Sequence, residues 1–95
     1  MEQHRKIEEL NFYKGEKRFI TFEVVSTKNQ KVVISEPSYV MKYDGEIVDE
    51  GVCEIINESE LQALIEASDV GSFDLEITYT LGAELRKVRC RINVN

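Results

Sequence analysis

The stretch from Phe73 to Val94 constrains this chain more than any other, because it reads as a β-hairpin whose two faces agree independently. Phe73, Leu75, Ile77 and Tyr79 alternate with Asp74, Glu76, Thr78 and Thr80. After Leu81-Gly82-Ala83-Glu84, the residues Val88, Cys90, Ile92 and Val94 alternate with Lys87, Arg89, Arg91 and Asn93. A two-residue turn at Gly82-Ala83 suits the hairpin type that places glycine first. It sets Ile77 opposite Val88, Leu75 opposite Cys90 and Phe73 opposite Ile92 on one face. On the other face it sets Glu76 opposite Arg89 and Asp74 opposite Arg91, where opposite charges stabilise a cross-strand pair. A slip of one residue would destroy both agreements at once. The chain is built around antiparallel sheet with one apolar and one solvated face.

The remainder extends the pattern. Arg5 to Phe12 reads as a first strand with Leu10 and Phe12 on one face, although Glu2 and Lys6 equally support a helical turn, and a turn from Tyr13 to Lys17 follows. Arg18 to Ser26 is a second strand, with Ile20, Phe22 and Val24 inward and Thr21 and Glu23 outward. Beyond the polar loop Thr27–Lys31, the β-branched segment Val32, Val33 and Ile34 ends before Pro37 and reads as an edge. Ser38 to Tyr43 alternates again, with Tyr39, Met41 and Tyr43 on one side. Asp44-Gly45 is the strongest short hairpin signal in the sequence, and a two-residue turn there sets Met41 opposite Val48. The return strand is interrupted at Glu50-Gly51 and resumes from Val52 to Ile56.

One segment reads as a short helix, Ser59 to Ala67. Ser59 and Gln62 have the spacing of a helix capping box, and Leu61, Leu64 and Ile65 form an apolar stripe. The tally is about seven strands with turn signals roughly every 8–12 residues, plus that helix. This is the pattern of an all-β, immunoglobulin-like antiparallel β-sandwich, with a small closed barrel as the competing architecture. At 95 residues the chain is expected to form a single domain, 1–95.

Several functions are disfavoured by composition. The net charge is -6, whereas nucleic-acid binders need a basic footprint. The basic row Lys87, Arg89 and Arg91 faces an acidic row and reads as internal neutralisation. No apolar run is long enough for a membrane span, and Met1–Lys6 has no apolar stretch behind it, so folding in the cytoplasm is expected. Cys53 and Cys90 each sit among alternate apolar residues and read as small buried hydrophobes, reduced rather than bridged. A zinc site would need more ligands than these two and His4. Asp44, Glu46, Asp49 and Glu50 crowd a hairpin tip but lack the spacing of a calcium loop, and read as a solvated turn. With one histidine and no glycine-rich phosphate loop, no nucleophile–base pair can be assembled. No catalytic, cofactor or metal residues are assigned.

Asp69-Val70-Gly71-Ser72-Phe73 is similar to the segment entering strand F of immunoglobulin domains, with Phe73 in place of the corner tyrosine and Leu75 in place of the second cysteine. Phe12-Tyr13-Lys14-Gly15-Glu16, the strand Phe19 to Val25, the Asp44-Gly45 hairpin and Gly71-Ser72-Phe73-Asp74-Leu75-Glu76-Ile77 follow one another in order. Together they resemble the immunoglobulin-like structural domains of phages and prophages of Gram-positive bacteria, in particular the N-terminal domain of upper baseplate proteins. The resemblance runs from about residue 10 to the last strand, after which no linker or receptor-binding part follows. It implies a non-enzymatic tail, baseplate or decoration protein without cofactors, found in the cytoplasm before assembly and in the virion afterwards. Its partners would be other virion proteins or copies of itself in a homo-oligomer, with no nucleic acid and no membrane involved. A bacterial immunoglobulin-like interaction domain unrelated to phage is the alternative, and a small enzyme or ligand-binding domain a more distant one. The edge segment Val32, Val33 and Ile34 is the expected interface, since strand pairing there needs no special side chain.

Overall fold

Alternation of apolar and polar residues continues through almost every segment, and it yields eight strands and no helix among the described residues. The computed structural model describes residues 8–24 and 33–95. In chain order the strands are β1 (Glu8–Phe12), β2 (Lys17–Glu23), β3 (Ile34–Tyr43) and β4 (Glu46–Val52). They continue with β5 (Glu54–Ile56), β6 (Glu60–Glu66), β7 (Gly71–Leu81) and β8 (Glu84–Val94). Two sheets pack as a sandwich, one of five strands in the order β1-β8-β7-β3-β4 and one of three in the order β2-β6-β5.

The β7–β8 hairpin has the register that its sequence requires. Leu75 faces Cys90, Ile77 faces Val88, Phe73 faces Ile92, Glu76 faces Arg89 and Asp74 faces Arg91. The turn closes at Gly82, whose φ of 62° a side-chain-bearing residue adopts only with strain. Leu75, Ile77, Cys90 and Ile92 lie in the core with Tyr39 and Met41 of β3. The three-stranded sheet covers them with Ile20 of β2 and Leu61, Ala63 and Ile65 of β6. Phe12 closes one end of this core, capped by the Arg18 guanidinium 4.0 Å from its ring centre.

Residues 60–66 form a strand, not the helix that the Ser59–Gln62 spacing and the Leu61/Leu64/Ile65 stripe suggest. Leu61, Ala63 and Ile65 point inward at a period of two, while Leu64 is partly exposed on the outer face opposite Phe19. Both neighbours of β6, strands β2 and β5, supply hydrogen bonds that a seven-residue helix lacks. The sandwich is also not wholly antiparallel, because β1 runs parallel to β8, with Leu10 opposite Ile92 and Phe12 opposite Val94. The expected first strand from Arg5 and second strand to Ser26 extend outside the described residues, as does the Thr27–Lys31 loop.

The Asp44-Gly45 turn is present, with both residues at positive φ (52° and 83°), but its strands are offset. Met41 faces Asp49 instead of Val48, because the register shifts between Met41 and Lys42 and leaves Val48 as the extra residue of a bulge. The irregularity therefore lies at Val48, and β4 runs unbroken through Glu50 and Gly51. Gly51 has no room for a side chain, since a Cβ there would stand 2.6 Å from the Tyr39 ring. Strand β3 likewise does not stop before Pro37. It passes through that residue with a register shift between Ser35 and Ser38 and Glu36 at φ 51°.

Leu75 is fully buried at the centre of the longest strand pair, so Leu75→Ala is expected to cost about 2–5 kcal/mol of folding free energy. Urea unfolding followed by circular dichroism measures it, and a cost near zero would remove Leu75 from the core.

Candidate functional site

The end of the five-stranded sheet is the most distinctive surface. Strand β4 is hydrogen-bonded to β3 on one side and has no partner strand among the described residues on the other. Three β-branched residues stand exposed on it, Ile47 (54%), Val48 (52%) and Val52 (79%). Ile47 and Val52 share the outward face because they pair with Lys42 and Ser38, and Val48 is displaced by the bulge. Glu46 precedes these residues and Asp49 and Glu50 lie between Val48 and Val52, and among the described residues none of the three enters an ion pair. Asp49 accepts a hydrogen bond from the Glu50 backbone N–H at 2.9 Å. Burial, with Asp49 nearby, pushes the Tyr39 hydroxyl above its ordinary pKa.

The expected interface residues are distributed differently. Val32 lies outside the described residues. Val33 is exposed, and its carbonyl accepts a hydrogen bond from Gly82 N–H at 3.1 Å. The Ile34 side chain is in the core, and its backbone is paired with Leu81. Within the five-stranded sheet, the edge strand that carries exposed apolar residues is β4. The sequence carried part of that signal, since Ile47, Val48 and Val52 are β-branched residues on the return strand of the Asp44-Gly45 hairpin.

Beside β4 the outer face of the five-stranded sheet is charged and organised around one carboxylate. Glu76 is 8% exposed, with its oxygens 3.5 Å from Lys42, 3.7 Å from Lys87 and 3.7 Å from Arg89. Arg91 bridges Asp74 and Glu9, each at 3.9 Å. The basic row thus meets an acidic row, as the hairpin pattern implies. Lys42 and Glu9 join it through pairings of β3 and β1 that local sequence does not reveal.

Between the sheets, a groove of about 610 Å³ opens beside β2 and β8. Phe22, Leu61, Ile77 and Val88 form its floor, and Glu23, Lys87 and Arg89 stand at its rim. A smaller cleft of about 200 Å³ lies under the β4 bulge, lined by Met41, Val48, Asp49, Glu66, Asp69 and Phe73 among others. No cluster of three or more potential metal ligands occurs among the described residues. The cysteines lie in different elements, Cys53 after β4 and Cys90 in β8, and both are buried as unpaired thiols. Burial pushes each thiol up to about 11, with Glu8 adding to the effect at Cys90.

No family model, curated protein or solved structure matches this chain.

Two outcomes follow from this electrostatic arrangement. Arg89→Ala should cost less than about 1 kcal/mol, because Arg89 is mostly exposed and Lys42 and Lys87 still neutralise Glu76. Glu76→Ala should cost more, about 1–2 kcal/mol, since three cations then lose their shared partner. Equal losses in thermal or urea unfolding would show that Glu76 is no hub.

The raised thiol pKa values also set a pH dependence. Unfolded, the thiols ionise near their ordinary 9.0, whereas the fold keeps them protonated to about 11. Their contribution is fully present below pH 9.0 and is lost as pH rises toward about 11, by at most about 1.4 kcal/mol per thiol per pH unit. Unfolding free energies of wild type and of the Cys53→Ala/Cys90→Ala double variant, compared across this range, should converge as pH rises. Rapid labelling of either native thiol at neutral pH would contradict their burial.

Proposed function

We propose that this chain is an immunoglobulin-like assembly module of phage or prophage origin, a tail, baseplate or decoration protein that works by contact with other virion proteins or with itself. The observation that carries the reading is the strand order. A sheet β2-β6-β5 facing a sheet β1-β8-β7-β3-β4 supports a correspondence with strands B, E and D facing G, F, C and C′ of the immunoglobulin sandwich, with β1 added beside β8. In that correspondence β7 is strand F, and Phe73 and Leu75 occupy the corner and cysteine positions. Both are buried, so apolar packing there serves in place of the tyrosine hydroxyl bond and the inter-sheet disulfide.

The phage assignment rests on the resemblance of the opening aromatic-Gly-Glu turn, the Asp-Gly hairpin and the Gly-x-Phe strand to the baseplate domains. The contact mode is supported by the surface: exposed apolar residues lie on a sheet edge and on the outer face of β2 and β6, where Phe19 faces Leu64. These are positions at which burial against a partner is favourable.

Sedimentation of the pure protein, alone and mixed with the products of neighbouring genes, tests the proposal. Association with itself, or with a capsid, portal or tail protein, is the expected result. Association only with host proteins of other kinds would move the module out of the virion. A strict monomer that binds none of them and turns over a small substrate would overturn the reading.

A further inference from the structure

We infer that the outer edge of β4 is a docking strand for an extended, basic segment of a partner protein, which adds to the five-stranded sheet as a further strand. The inference rests on the assembly reading above and names the surface and the chemistry of the partner. Among the described residues β4 terminates its sheet, and it carries Ile47, Val48 and Val52 exposed within seven residues. An edge strand of this length offers unpaired backbone donors and acceptors, and main-chain pairing supplies affinity while side chains select the sequence.

Charge decides between the possible occupants. β4 contributes Glu46, Asp49 and Glu50 and no cation. Pairing with β4 of a second copy would bring together two strands that each carry three carboxylates and no cation, and like charges on neighbouring strands are destabilising. The same acids that reject a second copy favour a strand with Lys or Arg at alternate positions, so repulsion and attraction together give selectivity. The bulge at Val48 does not abolish the ladder, because Asp49 to Val52 pair regularly with Met41 to Ser38. Beneath the bulge, the cleft of about 200 Å³ combines Met41 and Phe73 with Asp49, Glu66 and Asp69. Apolar floor and acidic rim suit a long basic side chain, whose methylene stem packs while its charged head remains among carboxylates.

The test uses a seven-residue peptide alternating lysine and valine, a counterpart alternating glutamate and valine, and a lysine peptide N-methylated at alternate residues. Binding is followed by amide chemical shifts and hydrogen exchange of the full chain. The expected result is that the lysine peptide alone binds, shifts and protects β4 amides, and weakens with added salt. The double variant Glu46→Lys/Glu50→Lys alters only exposed side chains and should reduce its affinity at least about tenfold. Lack of binding, equal binding of the glutamate or N-methylated peptide, shifts centred on the Glu76 face, or unchanged affinity in the variant would each overturn the inference. A complex with neighbouring-gene products that survives in the variant would remove β4 from the interface while leaving the assembly reading standing. Failure of the wild-type chain to form any complex would remove that reading itself.

Discussion

Strand β7 is the member on which the rest of the sandwich leans. It pairs with β8 from Gly71 to Leu81 and with β3 from Lys42 to Ile34, so its backbone is satisfied on both edges along nearly its whole length. Its side chains divide cleanly between two environments. Leu75 and Ile77 are wholly buried against the three-stranded sheet, while Glu76, between them, gathers Lys42, Lys87 and Arg89 on the opposite face. Moving β7 by one residue would bury Glu76 in the core and expose Leu75 and Ile77, which makes its register the most strongly specified in the molecule.

Around this strand the remaining elements are fixed by fewer and more local devices. Backbone hydrogen bonds from Gly15 to Ala67 and from Ala67 to Glu16 tie the β1–β2 turn to the end of β6. Cys53 N–H bonds the Pro37 carbonyl at 3.0 Å and carries the chain from β4 toward the other sheet. Departures from ideal pairing are concentrated in β3 and its partners, at Glu36-Pro37 and at Val48. These are positions where a strand must bend to follow a twisted sheet.

What the sequence disclosed depended on how local the deciding interaction was. The β7–β8 register was readable because turn chemistry, apolar alternation and charge pairing all lie within one hairpin. The Asp44-Gly45 turn was equally readable, but the bulge at Val48 and the close approach of the Tyr39 ring to Gly51 lie in the strand pairing beyond it, which a turn does not reveal. Residues 59–67 were misread because a capping pattern is local evidence and strand pairing is not. The partners of β6 come from 17–23 and 54–56, and their influence overrides the helical spacing of Leu61, Leu64 and Ile65. The candidate edge at Val32–Ile34 rested on Pro37 as a terminator. The strand instead continues through that proline with pairing on both sides, Ile34 is packed into the core, and the edge of the sheet falls one strand later on β4.

The parallel pairing of β1 with β8 has a mechanical consequence. Tension drawing the chain before Glu8 away from the chain after Val94 runs along both strands in opposite senses and loads their ladder in shear. The five residue pairs from Glu8–Cys90 to Phe12–Val94 then resist together, instead of parting one after another as in a hairpin pulled open from its ends. A sandwich joined in this way can be held in series with other proteins and transmit a pull across its length while the hydrophobic core behind Ile92 stays closed.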